Sequence, residues 1–168
     1  MKKTVLVWAS QTGNTADAAG LIADEIGRDD IDMFDVANLT ITRLLDYDML
    51  VIGTPTWGLG ELPDVWLNAF PVLDELDLTG KRAAFFGLGD QLVYGEWYLD
   101  AMGILHDRFV ARGVSVVGHW PNDSYELSAS KALREGAFVG LALDADNQHH
   151  LTKDRIRKWV CSIRPFLD

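Results

Sequence analysis

Short runs of β-branched and aromatic residues alternate along this chain with longer segments whose apolar positions recur every three or four residues. That alternation predicts a parallel sheet covered by helices on both faces. Thr4 to Ala9 reads as a first strand. Ala19, Ile22, Ala23 and Ile26 follow at i, i+3, i+4 and i+7, the stripe of a helix that ends near Gly27. Ile31 to Val36 is a weaker second strand, Thr40 to Tyr47 a short helix, and Met49 to Gly53 a buried third strand. Leu62 to Leu76 is expected to be helical, with Pro63 tolerated in its first turn and Pro71 bending or shortening it. Arg82 to Leu88 is the fourth strand. Tyr98 to Arg112 is a helix with Leu99, Met102, Leu105 and Phe109 on one face, stopped by Gly113. Val114 to Gly118 opens a fifth strand that resumes at Phe138 to Leu143 after an inserted loop. Thr152 to about Ile163 forms the last helix, with Ile156, Trp159, Val160 and Ile163 on one side. The expected fold is α/β: one doubly wound domain over residues 1–168, with five βα units.

Composition adds limits. A length of 168 residues suits one domain, and 48% apolar with 24% charged residues is ordinary for a globular chain. The net charge of −10 repels nucleic acid and anionic membrane surfaces and favours basic partners. From Leu44 to Gly80 there are seven acids and no Lys or Arg, while five of the fifteen cations lie in the last sixteen residues. One end of the molecule should therefore be anionic. The single Cys161 rules out a disulfide framework and reads as a buried helix residue. His106, His119, His149 and His150 follow no metal-ligand spacing. The apolar run after Lys3 is too short for a signal segment, so a cytoplasmic protein with no membrane partner is expected.

In doubly wound sheets ligands sit beyond the carboxyl ends of the strands, where strand order reverses. Three loops occupy that position. Ser10-Gln11-Thr12-Gly13-Asn14-Thr15 runs from the first strand into a helix, and its hydroxyls, amides, Gly and helix N-terminus form a phosphate cradle. It has no Lys, so it is not a Walker loop, and a single phosphate group suits it best. Thr54-Pro55-Thr56-Trp57-Gly58-Leu59-Gly60-Glu61 places a Trp above the cleft, where exposure is costly unless it covers a ligand. Gly87-Leu88-Gly89-Asp90-Gln91-Leu92-Val93-Tyr94-Gly95-Glu96-Trp97 adds a second aromatic, so Trp57 and Tyr94 could sandwich a planar ring.

Taken as a set, these three loops resemble those of the flavodoxins. Trp120-Pro121-Asn122-Asp123, Phe138-Val139-Gly140-Leu141 and Leu143 to Gln148 resemble the long-chain branch, whose extra loop splits strand five. The resemblance implies a sheet order of 2-1-3-4-5 and a low-potential one-electron carrier, not an enzyme. It also implies non-covalent FMN, cycling mainly between neutral semiquinone and hydroquinone. The phosphate would sit at Ser10, Gln11, Thr12, Gly13, Asn14 and Thr15. The flavin would lie among Pro55, Thr56, Trp57, Gly58, Gly60, Leu88, Gly89, Asp90, Tyr94 and Trp97. Asp90 matches a family acid that bonds flavin N3–H, Gln91 stands beside it, and Asp146 resembles another acid near the ring. Relatives often carry Asn or Tyr where this chain has Trp97. The Gly58 carbonyl matches the one that turns to accept a hydrogen bond from the N–H newly formed at flavin N5. Implied partners are basic-surfaced redox proteins such as ferredoxin/flavodoxin–NADP reductase, nitrogenase or other low-potential oxidoreductases, met by a monomer. The insert at residues 120–137 is expected to serve partner recognition. Two other readings stay open on the residues alone: an NAD(P)H:quinone reductase using the same cradle, and a phosphoacceptor receiver. The receiver lacks its acids here, since Ser10-Gln11 and Thr54-Pro55 stand in their places.

Overall fold

Successive strand residues alternate between two apolar layers, and this decides which helices cover which face. The structure, a computed structural model, describes residues 3–10 and 13–167. Strands β1 (Thr4–Trp8), β2 (Ile31–Asp35), β3 (Met49–Pro55), β4 (Arg82–Leu88) and β5 (Ser115–Val116) form a parallel sheet of order β2-β1-β3-β4-β5. Val5, Val7, Leu50, Ile52, Ala83 and Phe85 face one layer with Trp66, Phe109 and Leu105. Leu6, Met49, Val51, Ala84 and Phe86 face the other, with Ala19, Ile22, Trp159 and Ile163. The period of two along the strands requires this split. Helices α2 (Asp64–Leu73) and α3 (Asp100–Val110) supply the first layer; α1 (Asn14–Ile26) and α4 (Thr152–Ile163) supply the second.

The fifth strand is split as expected. β5 pairs with the start of β4, Arg82 opposite Ser115. After β6 (Trp120–Pro121), β7 (Leu133–Arg134) and β8 (Ala137–Phe138), β9 (Leu141–Leu143) pairs with the end of β4, Leu88 opposite Leu143. β6, β8 and β7 form their own small antiparallel sheet, so the insert has internal order.

Several boundaries differ from the sequence reading. The second helix begins at Asp64 because Pro63 is extended (ψ 146°), and it ends at Leu73, two residues beyond Pro71. The third begins at Asp100 instead of Tyr98, because Leu99 sits in the left-handed region at φ 56°. Residues Ile41–Asp46 wind as a 3₁₀ helix. Cys161 is exposed, not buried: it lies one residue past the Trp159 and Val160 stripe of α4, on the solvent side. Arg155, one of the cationic tail, is instead buried, stacked 4.3 Å over the Tyr125 ring. No helix among the described residues is long and apolar enough to cross a membrane.

Candidate functional site

The helix that follows β1 starts on a bare N-terminus. Gly13 precedes it at φ 93°, with no side chain among the described residues capping the first turn. The first N–H groups of an α-helix have no intrahelical partner, so those of Asn14 and Thr15 remain available where both residues line a cleft. Ser10 Oγ accepts from Gly13 N at 3.0 Å, which ties the end of β1 to the helix start. Gln11 and Thr12, also expected in this cradle, lie outside the described residues.

The cleft encloses about 540 Å³ and is lined by Asn14, Thr15, Pro55, Thr56, Trp57, Gly58, Leu88, Gly89, Asp90, Tyr94 and Asp146. These residues come from the carboxyl ends of β1, β3, β4 and β9, the switch point of the doubly wound sheet. Trp57 is half-buried and Tyr94 is 44% exposed, so each presents ring surface that the protein itself leaves uncovered. Of the expected residues that are described, Ser10, Gly13, Gly60 and Trp97 are not part of this lining. Gly60 is buried behind it, and Trp97 is taken up in a turn, donating its N–H to Tyr94 O at 3.0 Å and accepting from Asp100 N at 3.1 Å.

The loop after β3 closes as a tight reversal. Trp57 N donates to Glu61 O at 2.8 Å, and Glu61 N returns to Trp57 O at 2.7 Å. Gly58 at φ 48° and Gly60 at φ 92° make the reversal, both in the region that L side chains avoid. Leu59 between them is 62% exposed.

The acidic wall has an organisation that the sequence did not reveal. Asp144, fully buried, accepts from Gln91 N (3.1 Å), Gln91 Nε2 (2.8 Å), Asn147 N (3.0 Å), Asn147 Nδ2 (2.9 Å) and Asp146 N (3.2 Å). Asn147 Nδ2 also donates to Asp90 Oδ1 at 2.8 Å. Gln91 therefore turns inward, away from the cleft edge where it was expected. The string of polar residues after Leu143 was visible in the sequence, and the resemblance singled out Asp146, which lines the cleft, but nothing there marked Asp144 as the buried acceptor. Asp90 is drawn upward by partial burial, yet bonds from Val93 N, Asn147 Nδ2 and Leu92 N outweigh this and hold its carboxyl below the usual range. Asp146 is pushed up by burial and then by the like charges of Asp90 and Asp144. Among the described residues no group of His, Cys, Asp and Glu is arranged to hold a metal ion.

With a ligand-sized cleft at the reversal of strand order and aromatic rings left uncovered on two of its loops, the fold and site define a flavodoxin-like cofactor carrier. The flavodoxin family profile matches residues 6–159. A flavodoxin from Nostoc sp. is 47% identical over 163 residues, covering 97% of this chain and 96% of the relative. Flavodoxin 1 of Escherichia coli is 43% identical over 164 residues, 97% of this chain and 93% of its own. The crystal structure of Fusobacterium nucleatum flavodoxin bound to flavin mononucleotide superposes with a TM-score of 0.94 at 33% identity, over the full length of both chains. The chain belongs to the flavodoxin family, and its split fifth strand places it with the long-chain members. It is an electron-transfer protein and not an enzyme, which removes the quinone-reductase and receiver readings.

Proposed function

We propose that this protein holds one FMN non-covalently in the cleft and passes single electrons at low potential between redox proteins, the whole chain acting as one FMN-binding domain. One observation carries the reading: the 540 Å³ cleft joins an uncapped helix N-terminus to two uncovered aromatic rings. The donors of that terminus suit one phosphate group, since neutral N–H groups and the helix dipole favour an anion there. Trp57 and Tyr94 would cover the ring, and Gly89 and Asp90 would meet its pyrimidine edge. FMN, when bound, supplies one-electron chemistry, here mainly between its neutral semiquinone and hydroquinone.

The chain's own residues bias that chemistry in two ways. The Gly58 carbonyl, on a loop free of side-chain hindrance, would accept a hydrogen bond from the N–H that the cofactor gains with its first electron. Asp90 and Asp146, paired with no cation among the described residues, oppose the negative charge that comes with the second. Like charges in a partly desolvated site repel by kilocalories, not tenths, so this step would fall at low potential. The same acidic rim suits basic-surfaced partners such as ferredoxin/flavodoxin–NADP reductase or nitrogenase, and rim charges act mainly on encounter rate. A cytoplasmic monomer fits this role.

The test is an anaerobic reductive titration of the purified protein followed by visible absorption. A yellow protein that passes through a long-lived blue form before bleaching at very low potential supports the carrier. Bleaching in one two-electron step, or a colourless protein that takes up no FMN, overturns it.

A further inference from the structure

The Trp57–Glu61 loop has two unlike halves. Gly58 and Leu59 are exposed, and a methyl group on Gly58 would meet nothing nearer than the Glu61 carboxyl carbon at 3.8 Å. Gly60 is buried, and a methyl group there would fall 2.7 Å from Asp100 Oδ2 and 3.0 Å from Asp100 Cβ. Asp100 is itself only 3% exposed. Its other oxygen, Oδ1, accepts from Lys131 N of the insert at 2.7 Å. Directly after it, Ala101 N donates to Thr56 Oγ1 at 3.3 Å, tying the start of α3 to the end of β3. Directly before it, Leu99 is fully buried at φ 56°, a conformation that persists in a bulky residue only where the surroundings over-determine it. The strain buries Leu99 beneath Gly87 and Gly89, the end of β4, and α3 starts in register with the loop.

We infer that Asp100 is a positioning residue: it pins the Gly60 half of the loop, so that backbone rearrangement on cofactor reduction is confined to Gly58 and Leu59. The inference rests on the FMN reading of the cleft. Asp100 touches the loop on one side and the insert on the other, so the insert braces a cofactor wall in addition to any part it takes in partner recognition. Without the pin, the whole loop must be ordered each time the ring binds. Fixing even one freed residue costs enough backbone entropy for about a tenfold loss of affinity.

The experiment compares wild type, Asp100→Ala, Asp100→Asn and Gly60→Ala. For each, dissociation constants for FMN, riboflavin and inorganic phosphate are measured on the apoprotein, together with the two one-electron midpoint potentials of the FMN complex. Asp100→Ala is expected to weaken FMN and riboflavin about tenfold, to leave phosphate unchanged, and to narrow the separation of the two potentials. Asp100→Asn keeps the acceptor for Lys131 N and should lie between the two. Gly60→Ala should act in the same direction, and its effect should be non-additive with Asp100→Ala, as contacting residues are. Riboflavin affinity and potential separation unchanged in Asp100→Ala would overturn the inference, as would phosphate weakening in step with riboflavin. If Asp100→Ala does not fold, Asp100→Asn and Gly60→Ala decide by the same criteria. Failure of the wild type to bind FMN at all would overturn the cofactor reading, and this inference with it.

Discussion

Asp144→Asn is the substitution whose cost follows most directly from the geometry. The native carboxylate is fully buried and faces only donors: two N–H groups of Gln91, two of Asn147 and one of Asp146. An amide keeps the shape but replaces one acceptor oxygen with an NH₂ group. If that group replaces Oδ2, it faces Gln91 N, Gln91 Nε2 and Asn147 Nδ2; if Oδ1, it faces Asp146 N, Asn147 N and Asn147 Nδ2. Either way at least two N–H groups lose their partner. At about 1–3 kcal/mol per orphaned buried donor, and with the more exposed ones recovering water, the loss should be about 3 kcal/mol. That is a large share of the roughly 5–15 kcal/mol by which domains are stable. Urea unfolding of the apoprotein, followed by tryptophan fluorescence and fitted as two-state, reads it as a lower midpoint with unchanged slope. Because Asn147 bridges Asp144 to Asp90, FMN binding should weaken as well. A loss below about 0.5 kcal/mol, less than one ordinary hydrogen bond, would refute the view that this carboxylate organises the wall.

Other outcomes follow from the same site. Gly58→Ala meets no steric obstacle, so only its left-handed backbone is taxed, by about 1–2 kcal/mol; at 59 mV per tenfold this moves the first midpoint potential by about 40–90 mV. Potentiometry that finds no shift would leave Gly58 a simple turn residue. Trp57→Ala and Tyr94→Ala should each weaken FMN binding by at least the roughly 0.5–1.5 kcal/mol of a stacked pair, measured by recovery of flavin fluorescence on dilution. The two acids of the wall respond oppositely to pH. Asp90 has a depressed carboxyl, so its contribution to apoprotein stability is present above the unfolded carboxylate range and is lost as pH falls through the folded value. Asp146 has a raised one, so the native state holds its proton longer and stability declines as pH rises through that window. Asp146→Asn should therefore stabilise the apoprotein at neutral pH and lose that advantage below the carboxylate range, while Asp90→Asn does the reverse. Unfolding curves at pH 3 and pH 7 separate the two.

Much of this molecule could be read along the chain, because local rules carry the information. Val5, Leu6 and Val7, or Leu50, Val51 and Ile52, are continuous apolar runs because a strand covered on both faces has no wet side. Ala19, Ile22, Ala23 and Ile26 mark their helix through the 3.6-residue period alone. Most of the cleft lining was legible for the same reason: Asn14 and Thr15 follow a Gly at a strand–helix junction, and Trp57 and Tyr94 stand beside glycines where bulk apolar rings need a cover. What the chain could not disclose depends on which groups meet across distance. Leu99 reads as an ordinary helix residue, and only the packing beneath Gly87 and Gly89 forces its left-handed turn and moves the helix start to Asp100. The resemblance placed Asp90 and Asp146 near the ring, but nothing along the chain gave the electrostatic surroundings of either or a role to Asp144. Their roles separate only once Asn147 and Gln91, up to 57 residues away, bring donors to one of them and leave another facing like charge. Periodicity is a property of neighbours three or four residues apart. The environment of a carboxylate is a property of the volume around it, and that volume exists only in the folded chain.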